Sequence, residues 1–158
     1  MSANTKHPAV QQYTLAMRVL GGLYLLGAIG FLLFPNLTMA VVNLLPRLFE
    51  FIEVLPPQEA YFWVPLATSM MVMLTIVAFS AAADPANGLL AVIHMAAKFT
   101  SSGGYLFMLL THHPDEGGIF FGYLLGCALD LAIAVGVLVL AMRVRAHHGA
   151  PAETDEHE

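Results

Sequence analysis

The sequence predicts an all-α membrane protein: a bundle of four transmembrane helices with an amphipathic interfacial helix between spans one and two. Three observations carry this. Hydrophobic residues make up 58% of the 158 and charged residues only 11%, whereas soluble domains average about 25% charged. The mean hydropathy is +0.73. Four apolar stretches each reach the roughly 20 residues that cross about 30 Å of hydrocarbon at 1.5 Å per residue. The chain outside them is too short for a separate soluble domain.

The first span runs from about residue 15 to 34, with Arg18 near its start able to snorkel to the headgroups. Its apolar run exceeds the 7–15 residues usual for a cleaved leader, so we read it as a span although Thr38-Met39-Ala40 resembles a cleavage site. The second span, 61–83, is uncharged and opens on Tyr61, Phe62 and Trp63, an aromatic cluster suited to the interface. Asp84-Pro85 then supplies an N-cap and a proline at the first helical position, so spans two and three are expected as antiparallel neighbours. The third span covers about 87–111. The turn His112-His113-Pro114-Asp115-Glu116-Gly117-Gly118 follows, its acids favouring the start of the next helix. The fourth span, 119–142, ends at Arg143 and Arg145. Residues 146–158 read as a disordered acidic tail, whose Glu153, Asp155, Glu156 and Glu158 account for much of the net charge of −5.

Orientation follows from the positive-inside count. Lys6, Arg18, Arg143 and Arg145 fall on one side and Arg47 alone on the other, which predicts a multi-pass protein of the bacterial inner membrane with both termini cytoplasmic. Asn36-Leu37-Thr38 matches a glycosylation acceptor but abuts the membrane, so we assign it no role. Residues 36–55 are too long for a turn and too apolar for a solvated loop. On a helical wheel Asn43, Arg47, Glu50 and Glu53 fall within about 120° at 100° per residue, with leucine, isoleucine and phenylalanine elsewhere. That pattern suits a helix lying in the interface, started or kinked by Pro46 and ended by Pro56-Pro57. It serves as a membrane-surface connector, or alternatively as a lid over an outward cavity.

The spans carry few ionisable groups, and two lie deep. Lys98 is eleven residues from the start of span three and Asp130 eleven from the start of span four. Eleven residues are about 16 Å, which sets both near the midplane from opposite sides. The short turn makes these helices neighbours, so the two charges are expected to pair. Unpaired ionisable residues at that depth cost about 2.5–3.5 kcal/mol each on insertion scales. His94, Lys98, Ser101 and Tyr105 form one stripe of span three at spacings of four, three and four. Gly122-x-x-x-Gly126 on span four, one turn from Asp130, is a close-approach motif for helix packing. This polar centre reads either as a packing lock or as a proton or ligand site, and the sequence leaves both open.

Other chemistry is excluded more readily. No basic patch suggests nucleic acid, and the single Cys127 allows no internal disulfide. There is no nucleophile triad, phosphate loop or metal motif, so no catalytic residue and no metal ligand is assigned. Haem would need an axial partner for His94, and no other span contains a histidine. His112 and His113 could meet a metal with Asp115 and Glu116, but adjacent histidines point apart and a loop turn accounts for them. No cofactor is expected.

The run from Arg18 through Gly-Gly-Leu-Tyr-Leu-Leu-Gly-Ala-Ile-Gly to Phe34-Pro35, followed by an amphipathic segment and three further spans, resembles the DoxX-like group of small four-helix bacterial membrane proteins. The resemblance lies in overall layout and in the wording of the first span. It implies an accessory or structural subunit of a membrane complex, with a redox-linked setting among the options because some members serve quinone-linked sulfur-oxidising or thiol-stress complexes. A lone Cys127 offers no dithiol relay. The expected partners are the lipid bilayer and other membrane proteins or further copies of the chain. The alternative is a small transporter or proton-linked carrier centred on Lys98, Asp130 and His94. A membrane enzyme using His94 or Asp130 as acid or base ranks last.

Overall fold

The structure, a computed structural model, describes residues 7–49, 63–111 and 117–149. Among the described residues it is entirely helical: α1 (Pro8–Leu33), α2 (Pro35–Val42), α3 (Leu44–Phe49), α4 (Trp63–Ala83), α5 (Gly88–Thr111) and α6 (Gly117–Gly149). α1, α4 and residues 121–147 of α6 are each long and apolar enough to cross a membrane. α5 has the length, 24 residues or about 36 Å at 1.5 Å per residue. Its apolar character is diluted by His94, Lys98, Thr100, Ser101 and Ser102.

Two helices outrun the apolar stretches that foretell them. α1 begins at Pro8, a proline at the first helical position, where His7 Nδ1 accepts the Ala9 N–H at 3.3 Å. α6 continues through Arg143 and Arg145 to Gly149, past the residue 146 at which a tail was expected to begin. Apolar length measures hydrocarbon thickness, while backbone hydrogen bonding continues into the headgroup layer. Residues 150–158 lie outside the described residues. α1 stops before Pro35, and its cap Phe34 leaves the helical region at φ −139°, ψ 54°, as a residue before proline is driven to do.

The interfacial segment over 36–55, expected as a helix started or kinked by Pro46, is two short helices as far as it is described. The break lies between Val42 and Leu44, four residues before Pro46. A proline has no N–H for the carbonyl four residues back, here that of Val42. Of the anticipated polar face, Asn43 and Arg47 stay one helical turn apart, the Arg47 N–H donating to the Asn43 carbonyl at 3.1 Å. Asn43 is buried and Arg47 exposed. Glu50 and Glu53 lie outside the described residues. α2 folds back on α1, with Thr38 Oγ1 only 2.7 Å from where a Cβ on Gly30 would sit.

The four long helices alternate in direction. α1 and α4 pack closely along their length, with Gly21 against Phe79, Gly27 against Met71, and Phe31 edge-on to Trp63 at 5.5 Å between ring centroids. Numbers rising on one helix meet numbers falling on the other, so the pair is antiparallel. α5 and α6 pack equally closely and antiparallel, Lys98 meeting Asp130 and Ser102 meeting Cys127. α1 also touches α6, and α4 touches α5 less extensively than the short Asp84–Asn87 link led us to expect. The ring order α1–α4–α5–α6 therefore places α1 diagonally opposite α5. An apolar core of Val10, Tyr13, Met17, Tyr24, Leu74, Ala78, Ala81, Ala82, Ala91, Val137 and Val144 draws on all four helices.

Candidate functional site at the polar centre

α5 presents His94, Lys98 and Ser102 to the interior at successive spacings of four, which one helical face requires. All three are buried, His94 with no exposed surface at all. Lys98 Nζ donates to Asp130 Oδ1 at 2.7 Å, a charge-assisted contact between α5 and α6. The Lys98 and Asp130 side chains keep 7% and 14% of their surface, so the pair is largely shielded and each charge depends on the other for compensation.

The diagonal helix contributes Tyr24. Its hydroxyl lies 3.0 Å from His94 Nε2, with the donor set by the imidazole tautomer. Its ring also lies 5.0 Å from Lys98 Nζ, measured to the ring centroid, placing the ammonium within cation–π range. The polar centre thus runs from Tyr24 on α1 through His94 and Lys98 on α5 to Asp130 on α6. One atom in it is not satisfied: His94 Nδ1 is buried and has no hydrogen-bond partner.

One turn further along α5, Ser102 Oγ donates to the Cys127 carbonyl at 3.1 Å and lies 3.4 Å from Cys127 Sγ. Beyond it the Tyr105 ring covers Gly126. A Cβ there would come within 2.8 Å of Tyr105 Cε2, so glycine is what lets α5 approach at this level. The Tyr105 and Tyr123 rings stand 6.4 Å apart, tilted. Ser101 and Gly122 are half-buried, and Tyr105 lies at the exposed edge of the centre.

Two members of the centre were not singled out from the sequence. Ser102 continues the 94–98 spacing of four; choosing Ser101 at a spacing of three followed the neighbouring row of the same face. Tyr24 was passed over because span one holds no charge at depth. Depth arithmetic applied to it would have helped, since it lies nine residues, about 14 Å, from Leu15, level with Lys98 and Asp130. Among the described residues no group of three or more His, Cys, Asp or Glu comes together to hold a metal ion. His112, His113, Asp115 and Glu116 lie outside the described residues.

Chemically the arrangement combines a nearly neutral ion pair with an imidazole that has one free nitrogen beside it. Such a centre can fix helix register, and it can hold or pass a proton. No family model, curated protein or solved structure matches this chain.

Proposed function

We propose that the chain is a four-span integral membrane protein of the bacterial inner membrane, serving as an accessory or structural subunit without catalytic activity of its own. α5 supplies the fourth span. Its outward surface is largely apolar, with Leu89, Val92, Leu106, Phe107 and Leu110 exposed, while His94 Nε2, Lys98 and Ser102 find partners on α1 and α6. A helix of that kind is at home in lipid once bundled, because its ionisable groups His94 and Lys98 face inward. α2 and α3 then lie in the interface between spans one and two, and the positive charges keep both termini cytoplasmic. The DoxX-like resemblance of the first span points to a redox-linked complex as the setting.

The observation that carries the subunit reading is the closure of Lys98 on Asp130. A pair held at 2.7 Å and covered by the Tyr24 ring leaves no net charge to offer a substrate. It specifies how α5 seats on α6, which a scaffold subunit needs. Mild-detergent extraction tests this: a complex well above 17.0 kDa with a reproducible second polypeptide is expected. A monodisperse monomer or pure homodimer that binds a small molecule overturns it.

One observation favours the carrier reading instead. The unpartnered His94 Nδ1 leaves a proton site beside the pair. Proton flux into liposomes that contain the purified chain, abolished by His94→Leu, would decide for a proton-linked carrier.

A further inference from the structure

Away from the polar centre, α1 and α6 enclose a groove of about 550 Å³ that opens to the side of the bundle. Its walls include Leu15, Val19, Ile133, Gly136 and Leu140, and its one polar side chain is Gln12. The α1 wall extends from Gln12 to Leu20, about 12 Å at 1.5 Å per residue. Nothing lies within 4 Å of where a Cβ on Gly136 would sit, so the glycine leaves open space and not a packed approach. The two helices touch each other. Packed helix axes lie about 8–10 Å apart and a helix is itself about 10–12 Å across. A slot between helices at that spacing accommodates a hydrocarbon chain.

The groove also has a polar end. On α6, Gly136, Leu140, Arg143 and His147 fall within about 60° of one another at 100° per residue, one continuous stripe. Arg143 is exposed one turn beyond Leu140. His147 stacks on His7 at 3.6 Å between ring centroids, which joins α6 to the start of α1 at this end. α1 contains no acidic residue, and neither does the described part of α6 after Asp130. An apolar slot between membrane-crossing helices that leads to a cationic end matches one ligand chemistry, a fatty chain joined to an anion. We propose that the groove binds an acyl chain of an anionic phospholipid, its phosphate held by Arg143 and His147.

The test is native mass spectrometry of the full-length chain released from detergent, loaded with phosphatidylglycerol or with phosphatidylcholine of the same chains. Phosphatidylglycerol should be retained in preference, and Arg143→Gln should cut that preference about fivefold, the weight of one basic residue near a membrane surface. Gly136→Leu should reduce retention of both lipids with thermal unfolding unchanged, because the new side chain enters open space. Val19→Trp blocks the same slot from the α1 wall and should do likewise, which keeps the test valid should the α6 variant misfold. Equal retention of the two lipids by the wild type overturns the proposal, as does undiminished binding with both groove variants. A homodimer that Gly136→Leu and Val19→Trp dissociate would assign the groove to a second copy instead, and equally overturns it.

Discussion

The α1–α4 and α5–α6 pairs pack along comparable lengths but are held by different physics. The α1–α4 seam is apolar and small-residue rich: Gly21 receives Phe79, and Ala78 and Ala81 have no exposed surface. The α5–α6 seam carries the ion pair, the Ser102–Cys127 contact and the Tyr105 ring over Gly126. In lipid, apolar side chains gain nothing by leaving one hydrocarbon environment for another, so the first seam relies on close van der Waals fit. Such fit sets distance but only loosely sets register. Directional polar contacts in the second seam set register, and a one-residue slip there strands a charge. Tyr24 and His94 join the two pairs across the diagonal, so the polar centre also tells the apolar pair where to sit.

The largest effect should come from splitting the ion pair. Asp130→Asn leaves Lys98 charged and uncompensated; breaking one side of a buried pair costs about 3–5 kcal/mol in soluble proteins, and less in a bilayer where snorkelling and water defects relieve it. Lys98→Met with Asp130→Leu removes both charges and should restore most of the thermal stability in detergent, since apolar replacement of a whole pair is often neutral. If the double variant folds and behaves as the wild type in the mild-detergent extraction, the pair is a packing lock. Loss of function in a well-folded double variant would make Lys98 and Asp130 part of an active site. Equal stability of single and double variants would mean that the two residues do not couple, and the contrast between the seams would collapse.

Next in size is Tyr24→Phe, which tests the link between the pairs. The ring and its contact with the Lys98 ammonium remain, but His94 loses its partner on Nε2 while Nδ1 already has none. A buried polar group left unsatisfied costs about 1–3 kcal/mol. His94→Leu combined with Tyr24→Phe should recover part of that loss. Unfolding in detergent of the single and double variants measures both. A Tyr24→Phe variant as stable as the wild type would mean that the diagonal contact contributes nothing to seating α1 and α4.

The parts of this arrangement that sequence makes legible are those governed by the helix repeat. The apolar runs mark α1, α4 and α6 because hydrocarbon thickness fixes their length. The rise per residue puts Lys98 and Asp130 level, and they stand 2.7 Å apart. Helix ends are less legible, as α1 and α6 show, because hydropathy fades before hydrogen bonding does. The Val42–Leu44 break follows from Pro46, which marks a start or a kink in the sequence without fixing which. Tyr24 was out of reach for a different reason. A pattern along one helix says which face turns inward, but not which helix lies opposite across the bundle. The extensive α1–α4 contact and the sparse α4–α5 contact are facts of three-dimensional packing, and only they place Tyr24 against His94.

Two of the glycines in the seams, Gly126 and Gly21, allow a sharper comparison. A Cβ at Gly126 would meet Tyr105 Cε2 at 2.8 Å, and one at Gly21 would meet the Phe79 ring at 3.1 Å. Overpacking of this kind costs about 1–3 kcal/mol, and Gly126→Ala should lie higher in that range than Gly21→Ala. Tyr105→Ala removes the ring that the new methyl would meet and should relieve most of the Gly126→Ala penalty. Thermal unfolding of the three single variants and the Gly126→Ala, Tyr105→Ala pair gives the coupling directly. A Gly126→Ala variant that is unaffected, or not rescued, would remove close approach as the reason for glycine at this level.

The smallest effect should be Ser102→Ala, and its smallness is informative. Ser102 Oγ donates to the Cys127 carbonyl, which as part of α6 already serves its own helix, so losing the hydroxyl orphans no acceptor. Hydrogen bonds between helices in membrane proteins average about 0.6 kcal/mol by double-mutant cycles. Alanine also has the higher helix propensity, which offsets part of that loss. The volume change is a single oxygen atom, too little to open a cavity at the seam. Ser102→Ala should therefore leave unfolding in detergent within about 0.5 kcal/mol of the wild type. If it destabilises as much as Asp130→Asn, register in the α5–α6 seam is set by the Ser102–Cys127 contact and not by the ion pair. The centre of gravity of the polar site would then move one turn along α5, away from His94 and Tyr24.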